Sequence, residues 1–143
     1  MTSHRSEYKQ ALRAMFTHDH DKFNAILAAH GDGDWNDTGK LILAVFGMLV
    51  DKRFAQDDSH EAVKAFVREA EDEFAGAEPG IKALSVELLV RSALGEDELF
   101  SEVPPDEALG LMPALSTKMV DDLEYGNDQI DQLLNDAEDV AAR

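Results

Sequence analysis

The sequence predicts an all-α fold, a helical bundle or irregular array of helical hairpins built from six to seven helices. Three observations lead there. Apolar residues recur at steps of three and four in segment after segment, the spacing of one helix face. Sustained polar/apolar alternation bounded by turn dipeptides is missing, so strands have no signal. The stretches between apolar segments are short and rich in Gly, Pro, Asp and Ser, which favours antiparallel neighbours. With 143 residues, 44% of them apolar, and no stretch of linker composition, the chain is expected to be one domain over 1–143.

Tyr8, Leu12, Met15 and Phe16 begin the first stripe, which continues in register through His20, Phe23 and Leu27. One helix over about 6–29 fits this register. A break at "THDHD", with Thr17 or Asp19 capping a second helix, fits it too and is the preferred reading. "HGDGDWND" is a loop, with two glycines and four residues able to turn or cap the chain. The helix after it, about 37–54, is apolar all round at "LILAVFGMLV", as expected of a helix covered by neighbours on most sides.

"AQDDS" ends that helix, and Ser59 caps the next. Its stripe is Val63, Phe66, Val67, Ala70 and Phe74, with Gly76 as the stop. Pro79 in "EPG" suits a first helical turn and opens a helix with Ile81, Leu84, Leu88 and Leu89 on its apolar face, ended by Gly95. "EDELFSEVPPDE" is a connector with one helical turn around Leu99 and Phe100. The helix over 105–124 contains Pro113, which should kink or divide it. A last helix, about 127–142, carries Ile130, Leu133, Leu134, Ala137 and Val140 on one side. A tetratricopeptide reading of Ala70, Phe74, Ala77 and Pro79 fails, because the proline comes too early and the Trp-Leu-Gly start is missing. A stack of unrelated helical hairpins is the better description.

Thirty acidic residues against thirteen basic ones leave a formal charge of −17. That field repels phosphate, so neither nucleic acid nor an anionic membrane is an expected partner. The sequence has no cysteine, which rules out disulfides, thiolate metal sites and cysteine nucleophiles. "MTSHRSEYKQ" has no signal-peptide core. The longest apolar run, 41–50, is about half of what spans a bilayer. A cytoplasmic protein is the expectation.

"HDHDKFNAILAAHGDGDWND" (18–37) concentrates the residue types of metal sites: His18, Asp19, His20 and Asp21 at one end, His30, Asp32, Asp34 and Asp37 at the other. On a helix, His20 and His30 stand about 15 Å apart, too far to share an ion with bonds of about 2 Å. Each end must therefore stand alone. Asp32, Asp34 and Asn36 match the first ligand positions of an EF-hand loop. The glycine position is Asp37, however, and the bidentate glutamate position is Leu43. Capping of the following helix by Asn36 or Asp37 explains the same residues. The candidate metal ligands are therefore His18 and His20, needing further ligands from elsewhere, and Asp32 with Asp34. On a continuous helix His20 would instead join Phe16 and Phe23 on the apolar face as a buried neutral histidine. His60-Glu61 begins like a zincin helix, but Lys64 stands where the second histidine is required.

Catalytic signatures are missing: no Gly-x-Ser-x-Gly, no phosphate-cradling glycine loop, no dinucleotide fingerprint. Glu87 in "SVELLVR" has Arg91 four residues on, which reads as an ion pair and not as a general base. No catalytic residue and no cofactor is expected, a divalent metal being the one exception. Acids meanwhile gather toward two helix C-termini: Glu69, Glu71, Asp72 and Glu73, then Asp136, Glu138 and Asp139. The helix dipole disfavours anions there by about 0.3–1 kcal/mol each, and Glu69 and Glu73 repel one another four residues apart. These seven residues are the candidate protein-binding set. The functional expectation is a small non-catalytic binding protein, of the adaptor or inhibitor and immunity type, docking a basic protein surface. Two alternatives stand beside it: a metal-binding module or metal-dependent enzyme using His18 and His20, and a homodimer seamed by Ile130, Leu133, Leu134 and Val140.

Overall fold

The computed structural model describes residues 4–30, 36–74 and 82–141. These form α1 (His4–Phe16), α2 (His20–His30), α3 (Asn36–Arg53), α4 (His60–Glu73), α5 (Ala83–Ala93), a 3-10 helix (Asp97–Glu102), α6 (Pro105–Asp122) and α7 (Asn127–Ala141). Among the described residues there is no strand, and no helix is long and apolar enough to cross a membrane. The fold is a helical array, as the spacing predicts.

The break between α1 and α2 is made by local hydrogen bonds. The Asp19 N–H reaches the Ala14 carbonyl at 2.8 Å and the His18 N–H reaches that of Met15 at 3.1 Å, the paired bonds of a Schellman cap. His18 takes the left-handed conformation this cap requires, at φ 62°. Asp19 then serves the next helix: its Oδ1 accepts the Lys22 N–H at 3.2 Å. α5 and α6 end in the same way, around Gly95 (φ 124°) and Glu124 (φ 55°). At the start of α4, the Ser59 Oγ accepts the Ala62 N–H, the expected cap. Gln129 Oε1 accepts the Gly126 N–H at 2.8 Å, half of a capping box at the start of α7.

α3 packs against α1, α5, α6 and α7, while α4 and the 3-10 helix lie on α5 and α2 lies on α1. The core joins Leu12 and Phe16 to Leu41, Ile42, Val45, Phe46 and Leu49 of α3, and the expected α4 stripe through Ala70 is buried with them. α3 is nevertheless not covered all round, since Leu43 is 46% exposed. α5 also departs from its expected face. Val86, Leu89 and Val90 are buried, whereas Leu84 is 66% exposed. The buried side includes Ser85 and Ser92, whose hydroxyls donate to Glu107 Oε2 and to the Leu89 carbonyl. Serines satisfied in this way burden the core little.

The described part of α5 begins at Ala83, after an extended Lys82; Gly76, Pro79 and Ile81 lie outside the described residues. α6 runs undivided through Pro113. Interior proline costs about 3 kcal/mol or more, but Met112, Leu115 and Met119 are buried on the same helix, each contributing about 1.5–3 kcal/mol.

Candidate functional site

His18 stands where the α1 cap projects it toward the end of α6. Its Nε2 lies 2.9 and 3.1 Å from the two Asp121 carboxylate oxygens. The His20 ring is edge-on to it, with centroids 6.2 Å apart. Both histidines are exposed; with the helix broken at Asp19, His20 begins α2 and does not join the core. His60 faces Glu96 at 3.8 Å. Among the described residues, no three His, Asp or Glu side chains converge on a point able to hold a metal. Asp32 and Asp34 lie outside the described residues, as do the side chains of His30, Asn36 and Asp37. What the His18–Asp121 pair does is tie the C-terminal ends of α1 and α6 together.

The α4 acids divide into two groups. Glu69 and Glu73 turn toward Lys118 of α6, a lysine only 4% exposed. Its ammonium lies 3.2 Å from Glu69, 3.6 Å from Glu73 and 3.0 Å from Asp122, and 5.2 Å above the Phe66 ring. Arg53 completes the cluster: its Nε donates to Asp122 at 3.1 Å, and its guanidinium covers both Phe54 and Phe66. The like-charge pair four residues apart therefore has a folding role, since both carboxylates converge on one buried cation. Burial opposes the charge of Lys118. The hydrogen bonds the lysine donates to Asp122 and Glu69, with their charges, more than offset burial and hold its pKa above the ordinary lysine value. A lysine kept protonated in this way is no nucleophile. Glu71 and Asp72, by contrast, are exposed and have no ion-pair partner among the described residues.

On α7, Glu138 reaches Lys9 at 3.8 Å, Asp131 holds Arg13 at 2.6 Å, and Asp139 is exposed. Asp136 Oδ1 accepts from Gln132 Nε2 at 2.8 Å at the edge of an open groove. Met48 and Lys52 of α3, Tyr125 of the α6–α7 connector, and Gln129, Gln132, Leu133 and Asp136 of α7 line a space of about 270 Å³. The dimer seam has no such freedom: Ile130, Leu133 and Leu134 are buried within the chain, and only Val140, 43% exposed, remains outside. Glu87 binds Arg91 at 3.4 Å, the ion pair its spacing predicts.

Lys118, Arg53 and the groove are the features that sequence reasoning misses. The step from Lys118 to Asp122 is visible as an i,i+4 pair, but Glu69 is 49 residues away. The groove exists only because α3 and α7 lie side by side. Comparison with protein-family models, with curated proteins and with solved structures returned no match to this chain.

Proposed function

We propose that this chain is a non-catalytic protein-binding module that docks a basic surface of another protein through acidic helical faces. One observation carries the reading: six of the thirteen cations are engaged in ion pairs within the chain, while Glu71 and Asp72 face outward with no ion-pair partner among the described residues. Lys9, Arg13, Arg53, Lys82, Arg91 and Lys118 are all held in ion pairs within the chain. Each such pair is neutral and offsets none of the sequence's surplus of −17; among the described residues, Glu71, Asp72 and Asp139 are exposed carboxylates. Glu71, Asp72, Asp136 and Asp139 are the members of the acidic set available for a partner. A surface of this kind steers and orients a basic protein more than it adds affinity, so association is fast and salt-sensitive.

The test is affinity capture at low and high salt, with the intact chain and with Glu71→Gln/Asp72→Asn/Asp136→Asn/Asp139→Asn as parallel baits. Enrichment of a basic protein at low salt, lost in both the high-salt and the neutralised arms, is the expected result. Enrichment indifferent to salt and to the four substitutions refutes the reading.

A further inference from the structure

We infer that the groove between α3 and α7 receives an amphipathic basic helix of another protein. One large apolar side chain enters the cleft, and a Lys or Arg one turn away meets Asp136. This deepens the docking reading above and rests on it.

The lining supplies the two parts of an anchor site. Met48, Tyr125 and Leu133 form its apolar wall, and Gln129, Gln132 and Asp136 its polar edge. Methionine adapts its shape to what it meets, and a part-exposed tyrosine combines a large apolar body with a polar tip. The size discriminates between occupants. The groove's 270 Å³ exceeds the roughly 150 Å³ that accepts a benzene ring but falls short of the roughly 300–1,000 Å³ that encloses a small molecule. One large side chain of a macromolecule fits. The apolar surface also runs on beyond it: Val140, 43% exposed, stands one turn past Asp136, and Ala44 stands one turn before Met48, packed against the core but only partly buried. From Gln129 to Val140 the row is about 16 Å long, the length of about three turns of a docked helix.

Charge decides which helix. Asp51, Asp128 and Asp139 are exposed beside the lining residues on the same two helices; with Asp136 they outnumber Lys52, the one cation among the described lining residues. A second copy of the chain would set these carboxylates against themselves across a two-fold axis, each copy carrying −17. Phosphate-bearing partners meet the same repulsion. A helix with one apolar face flanked by Lys or Arg is the complement.

The experiment uses the full isotope-labelled chain and a Leu/Lys peptide patterned as an amphipathic helix. A scrambled peptide of the same composition serves as control, and binding is mapped by NMR at low and high salt. Shifts centred on Met48, Tyr125, Gln132 and Asp136 are expected, with the scrambled peptide binding at least about tenfold more weakly. Asp136→Asn should raise Kd about three- to tenfold and Met48→Glu about tenfold or more, each with an unchanged far-UV spectrum. Equal binding of the scrambled peptide, or shifts centred on Glu71 and Asp72 or on Leu84 and Phe100, overturns the groove but leaves salt-sensitive acidic docking standing. A doubling of solution mass abolished by Met48→Glu assigns the face to a second copy and also overturns it. If the Leu/Lys peptide binds nowhere at low salt, both readings fall.

Discussion

Replacing Lys118 by Met tests how the fold handles its most buried charge. The substitution keeps the apolar stem over Phe66 and removes the ammonium from between Glu69, Glu73 and Asp122. Breaking a fully buried ion pair from one side costs about 3–5 kcal/mol, but here the acids are unequally exposed. Asp122, 26% exposed at 3.0 Å, makes the strong bond, and a charged hydrogen bond contributes about 1.5–3 kcal/mol. Glu69 and Glu73, about half exposed, return to water, so each of their pairs contributes only about 0.2–1 kcal/mol. The lost cation–π contact adds about 0.5–2 kcal/mol. Met escapes the desolvation that Lys118 suffers, which offsets part of this and leaves an expected loss of about 2 kcal/mol. Urea unfolding at neutral pH measures it. A double-mutant cycle with Asp122→Asn should return a coupling of about 1 kcal/mol or more. A Lys118→Met chain as stable as the parent, or a coupling near zero, refutes the assignment of Lys118 as the charge that organises the α4–α6 contact. The pH dependence supplies a second check. Because the folded pKa is raised, the contribution is complete below the ordinary 10.5 and is lost as pH rises through the folded value; Lys118→Met should remove that alkaline loss.

Further outcomes follow from particular residues. Glu124 holds a left-handed conformation that costs a non-glycine residue about 1–2 kcal/mol. Glu124→Gly, after the greater entropy of unfolded glycine is deducted, should therefore stabilise the chain by about 0.5–1 kcal/mol in thermal melts. Gly95→Ala should destabilise it, since φ 124° strains any side chain even with open space around the added carbon. Burial pushes Tyr8 up to about 12 from 10.0, so its share of stability is whole below pH 10 and lost as pH rises toward 12. Ultraviolet titration should show a tyrosinate component at about 12 that Tyr8→Phe removes; if Tyr8→Phe leaves that component in place, or none is seen, the burial is contradicted. On the acid side, Arg91 holds Glu96 and Arg13 holds Asp131 below their ordinary values of 4.5 and 3.8. Their contributions are present above those values and lost as pH falls past them, so Glu96→Gln and Asp131→Asn should flatten the acid limb of a melting-temperature profile.

What the sequence by itself determined is local. Helix type follows from apolar spacing, and the helix ends follow from residues within about five positions of each other. The Asp19 break, the Ser59 cap, the Gly95 stop and the turn at Leu99–Phe100 were legible for that reason. The α4 stripe was legible too, because one side of that helix is apolar and the other charged. α5 was not: with Leu84, Val86, Leu88, Leu89 and Val90 spread around it, periodicity leaves more than one face available, and the fold chose the one holding Ser85 and Ser92. His18 illustrates the same boundary. Its place next to a helix break could be read from "THDHD", but its partner Asp121 lies 103 residues away. Asp136 could be seen as an acid near a helix end, though not as the edge of a groove whose other wall is Met48. Tertiary structure alone decided these pairings, because hydrophobic burial is non-directional. An amphipathic stripe states that a helix must be covered without stating by which neighbour, and only the docking of whole helices sets that choice.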